Sequence, residues 1–277
     1  MAYISWLGKR DTSDSILTAL LRKAGAVFLV KTSVPQTLMV CETVNNIIGR
    51  TSNPRNLNLS CGGSSGGEGA MIAMRGGAIG IGTDIGRYPY LVHQLLWRLM
   101  ISRWIYSCPS RIQLLHINAS GEPAIPNIKD LMNPNLPKAD LNEVWDAQLQ
   151  KWRYQCEYLD KWREWEERTG KELDAIIAPV AATAAVRHNQ FRYYGYATVF
   201  NVLDYTSVVV PVTYADKAVD HRLADYQPVS DMDKAVHAEY DPEVYHGAPV
   251  AVQIIGRRLS EERTLAIAEY IGKLLGH

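Results

Sequence analysis

A run of glycine and serine at residues 62–67, Gly-Gly-Ser-Ser-Gly-Gly, contains the residue types of an acyl-transfer site. Glycine reaches φ > 0 and lets the backbone pass close to a ligand, and a serine hydroxyl next to a base becomes a nucleophile or a proton relay. The run directly precedes a predicted helix, whose first N–H groups favour an anion or a developing oxyanion. The pattern therefore predicts hydroxyl-based acyl-transfer chemistry at Ser64 and Ser65.

Phosphate binding and a plain linker are the two competing interpretations of this run. A Walker A loop requires a lysine after its last glycine, and none follows Gly67. A dinucleotide-binding loop requires a strand immediately before it, whereas residues 56–61 are interpreted as a loop. A flexible linker fits poorly because the helix-forming residues 68–73 follow at once. Acyl transfer is the interpretation that we retain.

The overall composition disfavours several classes of protein. The 277 residues suit one large α/β domain or two small ones, and 47% of them are hydrophobic. Lys plus Arg equals Asp plus Glu, 29 against 29, so no net charge steers the chain toward nucleic acid or an anionic membrane. Neither an apolar run long enough to span a membrane nor the apolar core of a signal peptide is present, so we expect a cytoplasmic protein.

The residues that could bind a metal ion are scattered. The cysteines have no CxxC or CxxH spacing, and the histidines have no HxH or HxxxH spacing, so no metal site is predicted. Free thiols are the expected state of the cysteines. These four residues are Cys41, Cys61, Cys108 and Cys156.

Alternating helices and strands must position the Gly–Ser run, and this alternation predicts an α/β fold. Helices are predicted at 15–25, 66–74, 140–170 and 260–275, and buried strands at 26–33, 173–182, 206–214 and 248–258. The glycine-punctuated residues 76–86 are interpreted as a strand and a turn. In the longest helix an apolar stripe predicts a packing face. Its members are Trp145, Leu149, Trp152, Cys156 and Leu159.

Longer motifs around the Gly–Ser run resemble one family. "GGSSGGEGAMIAMRGGAIGIGTDIG", together with "DAIIAPVAATAA" and "APVAVQIIGRRLSEE", resembles the amidase signature family, most closely its fungal acetamidase-type branch. The resemblance covers roughly residues 11–86 and 120–276. It implies the amidase signature fold, a mixed twisted sheet with helices on both faces, here incomplete. It also implies one domain over residues 1–277, with a signature core (11–86), an aberrant segment (87–119) and a C-terminal part (120–277).

In that family, carboxamides are hydrolysed by a Ser–cis-Ser–Lys triad without a metal or an organic cofactor, so we expect a small-molecule amide as substrate. The resemblance places the bridging serine at Ser64. Leu38 and Ser65 are expected to line the substrate pocket. The backbone N–H groups near Ile85 and Gly86 are expected to hold the oxyanion.

The other two members of the triad are missing. The family continues past "GTDIGG" into the nucleophilic serine, but this chain has Arg87 and Tyr88 after Gly86. The family's lysine base precedes the bridging serine by some seventy residues, and counting back from Ser64 passes the N-terminus. Lys31 matches a different family lysine. We therefore expect a catalytically impaired amidase, or alternatively a non-catalytic amide-binding or partner-binding protein.

Residues 87–119 form a basic, apolar segment without Asp or Glu. One interpretation is a cationic amphipathic helix that lies on a membrane or binds a partner. The other is an out-of-frame or wrongly spliced segment, in which case the polypeptide is a fragment that does not fold. Its large apolar side chains predict poor solubility, oligomers or aggregates.

Overall fold

The computed structural model describes residues 1–84, 109–129 and 140–276. These residues group into two compact units. The first contains residues 1–83 and 112–129, and the second contains chiefly residues 140–276. The predicted division into 11–86, 87–119 and 120–277 stays a prediction.

The first unit combines helices with two small antiparallel hairpins. Helix α1 (Ile16–Lys23) begins at Ser15, whose Oγ accepts a hydrogen bond from the N–H of Thr18 at 3.2 Å. The hairpins are β1 (Val44–Asn45) with β2 (Gly49–Arg50), and β3 (Ser52–Asn53) with β4 (Asn56–Ser60). The interpretation of residues 56–61 as a loop was therefore wrong, because most of them form β4. Both hairpins precede α2 (Gly66–Ala73), and α3 (Pro109–Ser120) follows later in the chain.

Two strands predicted in this unit were wrong. Residues 26–33 have no strand assignment, and Val27 and Leu29 are 83% and 68% exposed. Residues 77–84 contain no strand either. A β-branched apolar run becomes a strand only where a neighbouring backbone pairs with it. Within the described residues neither segment has such a neighbour.

The second unit is an α/β unit built on a three-stranded antiparallel sheet in the order β5-β7-β6. Its strands are β5 (Ile176–Pro179), β6 (Thr206–Tyr214) and β7 (Pro249–Gly256). Its helices are α4 (Leu141–Thr169), α5 (Gly195–Leu203), α6 (Asp231–Glu239), α7 (Pro242–Tyr245) and α8 (Glu261–Leu274). The three strands were all predicted from their apolar runs, as were α4 and α8.

Helices lie on both faces of this sheet, as predicted. On one face Ala268 of α8 packs against Ile254 and Val210, and on the other Phe200 of α5 packs against Ile255. Each helix covers only part of its face of the sheet. On the face that carries Ile254, Ile177 of the edge strand β5 is 62% exposed. On the opposite face, Val209 of the other edge strand, β6, is 54% exposed. Only the central strand β7 is covered on both sides.

Helix α4 has strong end signals and an unexpected packing face. A capping box at Asp140 and Glu143 begins the helix, and Gly170 ends it in the left-handed conformation. The side chains that pack on the sheet are Tyr154 and Tyr158, with Trp162 buried beside them. The stripe predicted to be the packing face was wrong for its first half, because Trp145 and Trp152 are each 60% exposed.

Neither a candidate membrane span nor a candidate metal-binding cluster is present among the described residues. No helix among them is both long and apolar enough to cross a membrane. Nor do the described His, Cys, Asp and Glu side chains form a group of three that could hold a metal ion.

Candidate functional site

The Gly–Ser run is a loop pressed against neighbouring backbone. The peptide bond between Gly63 and Ser64 is cis, the conformation that the resemblance implies for the bridging serine, and Gly62 has φ +83°. A Cβ on Gly63 would lie 2.9 Å from the carbonyl oxygen of Val40 and from the backbone of Cys41. Only glycine therefore fits at position 63. This close contact fixes the backbone that carries Ser64.

Helix α2 begins immediately after this loop and is held just as tightly. Gly66 and Gly67 are buried. The N–H of Gly67 donates to the carbonyl oxygen of Ser33 at 3.0 Å, and a Cβ on Gly67 would lie 2.8 Å from the Ser33 Cα. The Thr43 hydroxyl donates to the Gly62 carbonyl at 2.9 Å. The N-terminus of α2 and the serine loop therefore form one body with residues 33–43.

The Ser64 hydroxyl is half-buried and has no hydrogen-bond partner among the described residues. Lys31, the nearest lysine in the sequence that could replace the missing base, lies elsewhere. Its Nζ forms an ion pair with Asp11 at 3.3 Å, and both side chains are more than 80% exposed. The polar contact of Lys31 is therefore with Asp11 and not with Ser64, and a general base must lie within hydrogen-bond reach of the proton that it takes.

Ser65 is occupied with a structural contact. Its Oγ accepts a hydrogen bond from the N–H of Thr83 at 2.9 Å and donates to the Thr83 carbonyl at 3.3 Å. Glu68 holds the same returning segment, because its Oε1 accepts from the N–H of Ile81 at 3.0 Å. The two contacts attach residues 81–83 to the start of α2. The expected pocket role of Ser65 stays a prediction.

The predicted oxyanion donors Ile85 and Gly86 lie outside the described residues, as do Arg87 and Tyr88. The oxyanion site therefore stays a prediction. Residues 109–119, the last part of the segment 87–119, belong to the regular helix α3.

Cys61 is the nearest thiol to the serine loop, but its environment does not favour nucleophilic chemistry. Its Sγ–H donates to the carbonyl oxygen of Thr51 at 3.0 Å. Burial raises the pKa of the Cys61 thiol, partly offset by its hydrogen bonds. Since the thiolate is the reactive form, Cys61 does not replace the missing serine nucleophile.

Leu38 lies in a strained turn. Thr37 and Leu38 both have positive φ, 73° and 63°, in the short 3₁₀ turn Gln36–Leu38. Such angles are uncommon in residues other than glycine and persist only where surrounding contacts enforce them. Thr37 is fully buried, and its Oγ1 has no hydrogen-bond partner within the described part of the chain. Leu38 is half-buried, and its expected contact with substrate stays a prediction.

Glu122 enforces this turn and was missed by the sequence analysis. The carboxylate is buried and accepts from Gln36 Nε2 at 2.7 Å, from Asn46 Nδ2 at 2.9 Å and from the N–H of Ile4 at 2.8 Å. The Gln36 Oε1 accepts in turn from the N–H of Ile125 at 2.9 Å. The only signal in the sequence was that Glu122 is the first acidic residue after Asp84.

Comparisons with known proteins agree on one family. The profile of the family described as Amidase matches residues 1–87 and 91–265. An acetamidase of Aspergillus oryzae is 63% identical over all of this chain and 74% of its own length. An acetamidase of Emericella nidulans is 48% identical with the same coverage. Both alignments extend over 404 positions, more than this chain's 277 residues, so both relatives contain stretches that have no counterpart here.

Two solved structures share the fold. A fatty acid amide hydrolase superimposes with a TM-score of 0.83 at 21% sequence identity, over all of this chain and 70% of its own. A second structure, described as an amidase, reaches a TM-score of 0.63 at 13% identity over 95% of this chain and 78% of its own. This likeness confirms the predicted α/β fold of the amidase signature type.

Proposed function

Because the chain belongs to the amidase family, as its signature residues predicted, we propose that it is a carboxamide hydrolase of the Ser–cis-Ser–Lys type whose turnover is impaired. One observation carries the proposal. Close backbone contacts fix the loop that carries Ser64, whereas its hydroxyl has neither a base nor a nucleophile as partner among the described residues.

The proposed chemistry is acyl transfer from an amide to water. In an intact relative, the signature serine attacks the amide carbon, and backbone N–H groups at the positions of Ile85 and Gly86 stabilise the oxyanion. The serine at the position of Ser64 passes the nucleophile's proton between lysine and leaving amine. Water then releases the acid from the acyl-enzyme. Side chains, backbone N–H groups and water carry out every step.

Impairment follows from what this chain lacks. Arg87 and Tyr88 follow Gly86 where the resemblance expects the nucleophilic serine, and Lys31 pairs with Asp11 in solvent. Removing such residues from a relay usually costs several orders of magnitude in turnover. Ser64 alone, with no base within hydrogen-bond reach, is a weak nucleophile.

A short aliphatic carboxamide is the substrate class that we favour. Two relatives with high identity are described as acetamidases. We also propose that the chain lacks segments that these relatives contain, and that it resides in the cytoplasm. The alternative function is amide binding without hydrolysis, which is favoured by the intact serine loop.

Ammonia release from acetamide, benzamide and longer amides tests the proposal, with Ser64→Ala as the matched variant. We expect both proteins to equal a control protein. Turnover above about 1 per second, the lower end of ordinary enzymes, that disappears in Ser64→Ala would overturn the proposed impairment. Saturable acetamide binding without turnover, measured by calorimetry, would favour the binding alternative.

A further inference from the structure

The first half of helix α4 carries an apolar stripe that no described residue covers. Leu141, Trp145, Leu149 and Trp152 are spaced by 4, 4 and 3 residues and therefore share one face. Their side chains are 60%, 60%, 44% and 60% exposed. We call these four residues the tryptophan stripe. Two tryptophans in water on one helix face are rare in a chain that has no partner there.

The stripe is distinct from the face by which α4 packs on its own unit. That face carries Tyr154 and Tyr158, and Gln155 Nε2 donates to the Val202 carbonyl at 2.7 Å. At 100° per residue, the centre of the stripe lies roughly 110° around the helix from this packed face. A second helix could therefore lie along the stripe while α4 keeps its contacts with α5 and the sheet.

Two opposite charges flank the stripe on one side. Asp146 and Arg153 are exposed, and neither has a hydrogen bond or an ion pair within the described part of the chain. They lie seven residues apart, about 10 Å along the helix, with their midpoint next to Leu149. Farther along α4, Lys161 pairs with Glu164 and Arg163 with Asp160.

We propose that a second copy of this chain covers the tryptophan stripe, with the two α4 helices antiparallel about a two-fold axis at Leu149. In that arrangement residues on the same flank of each helix face one another. Asp146 of each copy then faces Arg153 of the partner subunit, and Trp145 faces Trp152 of the partner subunit. In a parallel pair the same flank of the two helices lies on opposite sides of the interface, so neither attractive contact forms, and the charge pattern favours the antiparallel arrangement.

The area of the stripe fits a weak dimer. Buried tryptophans contribute about 150–250 Å² each, so burying the exposed parts of four side chains in each copy removes on the order of 1,000 Å² in total. That total lies at the lower limit of specific interfaces. We therefore expect reversible association that depends on protein concentration.

Charge exchange tests the pairing directly. Sedimentation velocity of the whole chain over a concentration series should show a monomer–dimer equilibrium. Asp146→Arg and Arg153→Asp should each raise the dissociation constant about tenfold, since each replaces two attractive contacts per dimer by two repulsive ones. The double variant should restore dimerisation, and so should an equimolar mixture of the two single variants. Glu167→Arg, on the same helix beyond the stripe, is the matched control and should change nothing.

A cross-link locates the axis independently of the charges. Leu149→Cys should give a disulfide-linked dimer under mild oxidation, because a residue on a two-fold axis meets its own copy, whereas Glu167→Cys should give no more than the parent chain. Helical circular dichroism checks that each variant is folded. A parent chain that stays monomeric over the whole series overturns the proposal, as does a dimer that persists equally in both single variants. Failure of the Leu149→Cys cross-link excludes the antiparallel axis.

Discussion

The tight contact between helix α2 and residue 33 leads to a quantitative prediction. In Gly67→Ala the new methyl group would lie 2.8 Å from the Ser33 Cα, where ordinary contacts lie at 3.4–4 Å. Both sides of this contact are backbone, so no side chain can rotate away. The start of α2 must move, and the hydrogen bond from the Gly67 N–H to the Ser33 carbonyl must lengthen.

The expected loss of stability is the balance of three effects. Overpacking costs about 1–3 kcal/mol, and the weakened hydrogen bond costs about 1 kcal/mol. The better helix propensity of alanine returns about 1 kcal/mol. The free energy of unfolding should therefore fall by about 2 kcal/mol, which lowers the melting temperature by about 4–8 °C.

Gly69→Ala is the matched control on the same helix. A Cβ there meets nothing within 4 Å, so only the propensity gain remains, and we expect stabilisation by about 0.5–1 kcal/mol. Thermal unfolding followed by circular dichroism compares the two variants with the parent. Equal stability of Gly67→Ala and Gly69→Ala would refute the close contact, and with it the proposal that this contact positions Ser64.

Three further predictions concern the missing chemistry and the second unit. Inserting Gly-Ser-Ile between Gly86 and Arg87 should leave ammonia release at background, because a serine without a base stays a weak nucleophile; full turnover would mean that a lysine of this chain serves as the base. Arg187→Met removes the cation that contacts the buried carboxylate of Glu239 at 2.8 Å, so unfolding measured in urea should show a loss of about 3 kcal/mol; an unchanged urea midpoint would contradict this. Burial and the hydrogen bond to Glu239 raise the pKa of Tyr245, so the stability that it contributes should be complete below pH of about 10 and fall as the pH rises further; a Tyr245→Phe variant with an unchanged alkaline slope would contradict this.

The features that sequence predicted well are those specified by local chemistry. Asp140, Glu143 and Gly170 set the ends of α4, because caps act within one turn of the helix. The glycines of the serine loop likewise indicated close backbone contact, and Gly63 and Gly67 make it. The apolar runs of β6 and β7 were sufficient to predict strands.

The features that sequence failed to predict depend on distant partners. The run 26–33 has the composition of a strand, but Val27 and Leu29 are exposed because no described strand lies beside it. Periodicity located the apolar stripe of α4 but not the face that packs. Glu122 acquires its role from Gln36, 86 residues earlier, and no local pattern indicates such a contact.

The order of strands in the sheet of the second unit constrains how that unit folds. Its central strand, residues 249–256, is the last of the three along the chain. Residues 176–179 and 206–214 are not neighbours in the sheet, so neither can pair until the third strand has been synthesised and has inserted between them. Closing contacts over some seventy residues is slow compared with helix formation, and during that interval two apolar strands have open edges on both sides. The yield of folded protein, more than the stability of the native state, should therefore depend on how quickly residues 249–256 are synthesised and pair with the other two strands. Chaperones that shield exposed strands should raise this yield.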